Sequence, residues 1–239
     1  MLKYKLFIII VLISGLAAPA QSNLSGMVSY KASYAKNYIK KDLKDKKEGK
    51  EGANELIKNS SDVYATLKFN SEGSSYRVDE KLQVDNIESI NITYFSAGSN
   101  HLYYHNKDWL NILQSNETLG KRFLIKRKSP NWNITKETKM IDDLLCIKAY
   151  STISENNKEK AGPTAWFSPS IPVNYGPMQY FGLPGLIIEL QFGSVTFIAK
   201  KISLNKDHVI VEKPQEAPIV TPEEFMAIAK KKTPDFFEN

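Results

Sequence analysis

His101 and His105 stand four residues apart in HLYYH, a spacing that sets both rings on one side of a helix or strand. Metal sites of the H-E-x-x-H kind use such spacing. Here the glutamate is missing and the strand formers Tyr103 and Tyr104 lie between, which favours two ordinary residues of a β-hairpin over a metal pair. His208 stands alone before an apolar run, and a structural role is expected for it. Asp142 and Asp143 are adjacent in a turn-like stretch, so their side chains diverge and cannot share a proton. Glu189 lies in the apolar run LIIELQF and is the one carboxylate placed for partial burial, which can raise a pKa. A hydrolytic mechanism needs at least two placed groups, and the sequence sets no partner beside Glu189. Cys146, the only cysteine, sits in LLCIKAY and reads as a small buried hydrophobe without a local base. No G-x-S-x-G, P-loop or dinucleotide fingerprint occurs, and no cofactor is implied.

The elements that must hold these residues are mostly strands. Short runs rich in Val, Ile, Tyr, Phe and Thr recur, bounded by Asn, Gly, Ser and Asp. Strands are expected at 27–34, 63–69, 74–80, 89–95, 101–106, 121–128, 144–152, 163–168, 186–192, 195–203 and 208–213. Hairpin turns are expected at Asn70–Gly73 and Ser96–Asn100. In LIIELQF, strand period sets Leu186, Ile188, Leu190 and Phe192 on one face and Ile187, Glu189 and Gln191 on the other. One apolar and one mixed face is what an antiparallel sheet permits. Near the C-terminus, Thr221, Pro222 and Glu224 form an N-cap, first-turn proline and capping box, which predicts a short docking helix. A second short helix is expected in GANELIKNSS (52–61). The fold class is therefore mainly β: a curved antiparallel sheet or open barrel with one or two peripheral helices.

Residues 1–20 read as a signal peptide, with Lys3 and Lys5 ahead of the apolar run Leu6–Leu16 and then Ala18-Pro19-Ala20. That run is too short to span a bilayer as a helix. The remaining residues, 21–239, suit a single exported domain, periplasmic, surface-held or secreted, with no transmembrane segment and no internal disulfide. The formal net charge is +6, two units of which leave with Lys3 and Lys5. Much of the rest lies in Lys36–Gly52, where seven lysines alternate with four acids. Arginine is absent there, so a solvated segment is expected and not a nucleic-acid surface.

The stretch GPMQYFGLPGLIIEL (176–190) joins glycines and prolines to aromatic rings. Leu183-Pro184-Gly185-Leu186 suits a type II turn, with positive φ at Gly185. Gly176, Pro177, Gly182, Pro184 and Gly185 form the structural motif of this loop. Trp166, Phe167, Tyr175, Tyr180, Phe181 and Leu183, with Glu189, supply either the packing of a rigid flap or a binding surface.

With the flanking TAWFSPSIPV and ETKMIDDLLCIKA (137–149), this region resembles the GLPGLI family, named for the hexapeptide at Gly182–Ile187. The Trp that follows the family's Gly-Pro pair is Met178 here. The resemblance implies an exported protein of a Bacteroidetes cell envelope whose family function is not established. Two readings follow. One is a non-enzymatic binding or accessory module for a lipid, a peptide or an outer-membrane or other envelope protein, or a structural surface component. The other is a hydrolase or metal-dependent enzyme using Glu189 or His101/His105.

Overall fold

The computed structural model describes residues 24–35, 60–79, 90–118, 120–155, 158–205 and 208–232. The expected signal peptide, the lysine-rich segment and nearly all of the proposed 52–61 helix lie outside them. The strands are β1 (Gly26–Tyr34), β2 (Val63–Asn70), β3 (Gly73–Val78), β4 (Tyr103–Asn106), β5 (Asn111–Thr118), β6 (Lys121–Lys128), β7 (Asn133–Ile141), β8 (Leu144–Glu155), β9 (Lys158–Ser168), β10 (Leu186–Phe192), β11 (Val195–Leu204) and β12 (Ile219–Val220). The helices are α1 (Ile92–Ser96) and α2 (Pro222–Lys232). All twelve strands form one open sheet, in the order β12-β6-β5-β4-β3-β2-β1-β11-β10-β9-β8-β7. Every pairing is antiparallel except β12 with β6.

Alternation produces the core. Val28, Tyr30 and Ala32 of β1, Val63, Ala65, Leu67 and Phe69 of β2, and Val195, Phe197 and Ala199 of β11 turn to one face and are buried. Their neighbours one position along are wetter, which is the two-faced sheet the pattern predicts. Residues 169–185, between β9 and β10, form a flap over this face. Tyr175 meets Phe69 and His105 there, and Phe181 meets His105. The flap therefore reaches from β10 to β2 and β4. Tyr30 donates from its hydroxyl to the Ile187 carbonyl, tying β1 to the start of β10. Burial drives the Tyr30 phenol far above its usual pKa, so it stays a donor.

Three expectations fail for identifiable reasons. SINITYF is not a strand: Asn91 caps α1 by accepting from the Tyr94 N–H, so a helical turn wins over the β pattern and no hairpin forms at Ser96–Asn100. HVIVEK (208–213) is not a strand either. It lies over a sheet face, where Asn70 donates to the Val209 carbonyl and the Glu212 N–H donates to Ser75 Oγ, so side chains take the place of a ladder. Within LIIELQF, a bulge between Ile187 and Glu189 breaks the alternation. Ile187 and Ile188 are both buried as a result, and Phe192 is half-exposed against Tyr180. Three strands go unforeseen: β5 and β7, where polar residues such as Asn, Gln, Ser, Thr and Lys outnumber apolar ones and neighbouring strands hold them in place, and the two-residue β12 beside β6. The C-terminal capping box forms as read: Glu224 N–H donates to Thr221 Oγ1 and Thr221 N–H to Glu224 Oε2.

Candidate functional site

The flap is built by close approach more than by turn type. Gly185 is not left-handed; positive φ in the flap falls at Met178, at 54°, and at Gly182, at +91°. Gly185 N–H donates to the Leu183 carbonyl at 2.8 Å, which closes a three-residue turn around Pro184 in place of the expected type II turn. A Cβ on Gly185 would lie 2.3 Å from the Ser168 carbonyl oxygen, so glycine is required by space. Gly176 is similarly pressed, against Ile187 and the Tyr180 carbonyl. Ser129 Oγ and Trp132 Nε1 both donate to the Phe181 carbonyl, at 2.6 and 2.8 Å, and pin the far end.

The rings assigned to a binding surface divide into two groups. Phe167, Tyr175, Tyr180, Phe181 and Leu183 are all buried and pack into the common core. Trp166 and Glu189 face the other way, and the sheet register brings residues to them that are remote in sequence. Lys148, Trp166 and Glu189 lie in one row across β8, β9 and β10. Lys139 of β7 reaches over that row: its Nζ is 2.8 Å from Glu189 Oε2 and 4.3 Å from the Trp166 ring centre. Lys148 Nζ lies 3.0 Å from both carboxylate oxygens of Glu137 and 6.0 Å from the same ring. Two lysines and two glutamates thus surround one indole.

Chemically, this cluster is self-neutralised. Each carboxylate has its own ammonium, and the indole adds a cation–π contact worth about 0.5–1 kcal/mol where exposed. Lys139 and Glu189 side chains are 35% and 24% exposed, so the pair is partly shielded from solvent screening. Cys146, opposite Lys139 in the β7–β8 ladder, is fully buried, and burial pushes its thiol up to about 11. It is a protonated thiol at neutral pH, not a nucleophile.

The histidines do not come together as a metal pair. His105 is buried, with Nε2 2.8 Å from the Trp109 carbonyl and Nδ1 without a hydrogen-bond partner. His101 Nε2 lies 3.4 Å from Asn116 Nδ2. Burial lowers both imidazole pKa values. No group of three His, Cys, Asp or Glu residues comes together among the described residues. Asp142 and Asp143 form the tight β7–β8 turn, with Asp142 left-handed at φ 49°.

Sequence reasoning singled out Trp166 and Glu189 but not Glu137, Lys139 or Lys148 as members of a site. Those three lie within the ETK and C-x-K-A segments, and only the strand register shows that they converge.

A family model described as "Protein of unknown function (Porph_ging)" matches residues 154–189, which span the end of β8, all of β9, the flap and the first half of β10. No curated protein matches the sequence. Among solved structures, PNGF-II in a C2 crystal form superposes with a TM-score of 0.51 at 13% identity, covering 87% of this chain and 33% of that one. The P21 form gives 0.50 at 12% identity with the same coverage. The chain thus spans about a third of that neighbour's length, and the likeness is one of fold.

Proposed function

We propose that the chain is an exported, non-enzymatic binding module of the cell envelope, whose β7–β9 end docks a protein partner. The observation that carries this reading is the filled core face beneath the flap. Tyr180, Phe181, Leu183 and Tyr175 pack on the protein's own core and leave the flap rings no role as the wall of a lipid pocket. A cavity lined by Met27, Val28, Ser29, Thr66, Lys201 and Ser203 lies over β1, β2 and β11, and none of its lining residues belongs to the flap. Among the described residues, five exposed large apolar side chains share the β7–β8 hairpin: Ile134 and Met140 of β7 and Leu145, Tyr150 and Ile153 of β8 are each 40–60% exposed, while Leu110 and Ile210 are exposed elsewhere. Among the described residues β7 ends the sheet, and no strand pairs with its outer backbone edge.

Three further points support the reading. Glu189 is committed to Lys139, the Cys146 thiol is protonated, and neither histidine has a carboxylate as hydrogen-bond partner, so no observation favours a hydrolase or metal enzyme. A similar fold occupies about a third of a longer chain, as an accessory module would. The resemblance to the GLPGLI family and the expected signal peptide supply the envelope location; among the described residues no helix is long and apolar enough to cross a membrane.

Native mass spectrometry of the chain purified from its own envelope tests the proposal. The expected spectrum contains a protein-bound species, lost in the Met140→Lys, Leu145→Lys double variant while far-UV circular dichroism stays unchanged. A lipid-sized mass retained at one per chain, or a complex indifferent to those substitutions, would overturn it.

A further inference from the structure

Far from the β7–β9 end, the other half of the sheet holds a cation that makes no salt bridge among the described residues. Arg127 of β6 turns to the core face, in register with the buried Ile112 of β5. It is half-buried, and its Nε donates to Gln114 Oε1 at 2.7 Å. Gln114 is itself buried at 5% exposure, so it holds the guanidinium base rigidly. The two terminal nitrogens, Nη1 and Nη2, have no hydrogen-bond or ion-pair partner among the described residues. They are not among the buried polar atoms left unsatisfied, so they reach solvent. A half-buried arginine normally answers a carboxylate. Here the tether is a neutral amide.

The neighbours suit an anion. Gln114 lies opposite Tyr103, and Asn116 donates toward His101 Nε2 in the adjacent row. The Arg127 charge is felt at His101, at Tyr103 and at Tyr180 on the flap. Of the described acids, Glu223 on the first turn of α2 feels Arg127 and Lys128, but it is fully exposed and bonds to its own cap. Together these groups set polar donors and a fixed fork between the flap and the start of α2.

We propose that Arg127, tethered by Gln114 and flanked by His101, Tyr103 and Tyr180, is a recognition site for a carboxylate, held by the two free guanidinium nitrogens. A planar carboxylate matches that fork with two parallel hydrogen bonds. The carboxylate comes from a free small acid or from a peptide C-terminus. This site is independent of the β7–β9 docking surface and stands or falls separately.

His101 provides the readout. Burial is the main cause of its low pKa and Arg127 the next, so a carboxylate that neutralises Arg127 must raise it. The experiment follows the His101 ring resonance by NMR across pH, in the mature chain, with acetate, with N-acetyl-Ala-Ala as free acid, with its amide, and with sulfate. The free-acid peptide is expected to bind saturably and shift the His101 midpoint upward. A stronger response to the peptide acid than to acetate identifies a peptide terminus as the source; an equal response identifies a small acid; either supports the site. Arg127→Gln should raise the ligand-free midpoint and weaken peptide-acid binding about tenfold or more. Arg127→Lys should keep the midpoint low yet lose most of the affinity, because the fork is gone. Should Arg127→Gln fail to fold, the lysine variant and the acid–amide comparison decide. Equal binding of the amide, preferential binding of sulfate, or no response to any carboxylate would overturn the assignment.

Discussion

Replacing Gly185 by alanine tests how the flap is built. The added Cβ would sit 2.3 Å from the Ser168 carbonyl oxygen, 2.6 Å from its carbon and 2.9 Å from the Pro169 nitrogen. All three are backbone atoms, and Ser168 is held from two sides. It pairs with Leu186 in the β9–β10 ladder, and its hydroxyl donates to the Leu145 carbonyl at 3.0 Å. The overlap, more than 1 Å short of ordinary contact, must therefore be relieved by moving a strand end. Overpacking of this kind costs about 1–3 kcal/mol, and the upper end applies because no side chain can yield. For a chain of this size each kcal/mol lowers Tm by about 2–4 °C, which gives a drop of about 6–12 °C. Gly120→Ala is the control: φ is +68° there and no atom lies within 4 Å, so only backbone strain of about 1 kcal/mol applies. Gly185→Asn separates the two mechanisms. Asparagine tolerates a left-handed backbone, so a type II turn would accept it, whereas steric exclusion makes it at least as damaging as alanine. Thermal unfolding followed by circular dichroism is the assay. A Gly185→Ala melt no lower than that of Gly120→Ala, or an Asn variant close to wild type, would refute the close-approach argument.

Other consequences follow from the same structure. A double-mutant cycle on Lys139→Met and Glu189→Gln should give a coupling of about 1 kcal/mol in urea unfolding, with the Trp166 fluorescence shifted in the Lys139 variant; zero coupling would mean the contact is solvent-screened. His105 has a folded pKa below the ordinary 6.5 because it is buried. Its unfolded form therefore binds protons first, so its stabilising contribution is complete above pH 6.5 and declines as pH falls toward the folded value. His101 acts in the same sense, so Tm should fall between pH 7 and 5 and the fall should shrink in His105→Leu; an undiminished fall would exonerate His105. Cys146 should resist thiol reagents at pH 8 in the native state and react fully in guanidinium chloride, and rapid native labelling would contradict its burial.

What could be read from the chain before folding was whatever local chemistry dictates. LIIELQF and KRFLIKRK coincide with β10 and β6 residue for residue, because apolar alternation and turn residues bound them on both sides. Thr221, Pro222 and Glu224 mark the start of α2 through bonds made within four residues. The mainly β, open and antiparallel-rich fold with a C-terminal helix follows from those signals. The mistaken elements have different causes: in 90–95 the local Asn91 cap, with Ser60 accepting from the Ile92 N–H, outweighed a β-like composition, whereas in 208–213 the deciding partners, Asn70 and Ser75, lie far along the chain.

The sites belong to tertiary structure. Strand order makes β7, β8, β9 and β10 neighbours, and only that register lays Lys139 over Trp166 onto Glu189, fifty positions away. The bulge at Ile187 rotates two isoleucines inward together, which period-two counting cannot foresee. Gly185 was recognisable as a required glycine, but whether φ or space required it depended on where Ser168 came to rest. Composition and period set the faces of each strand, since these depend on neighbours in the chain. Which faces meet, and which charges are left without a partner, depends on distances that sequence order does not contain.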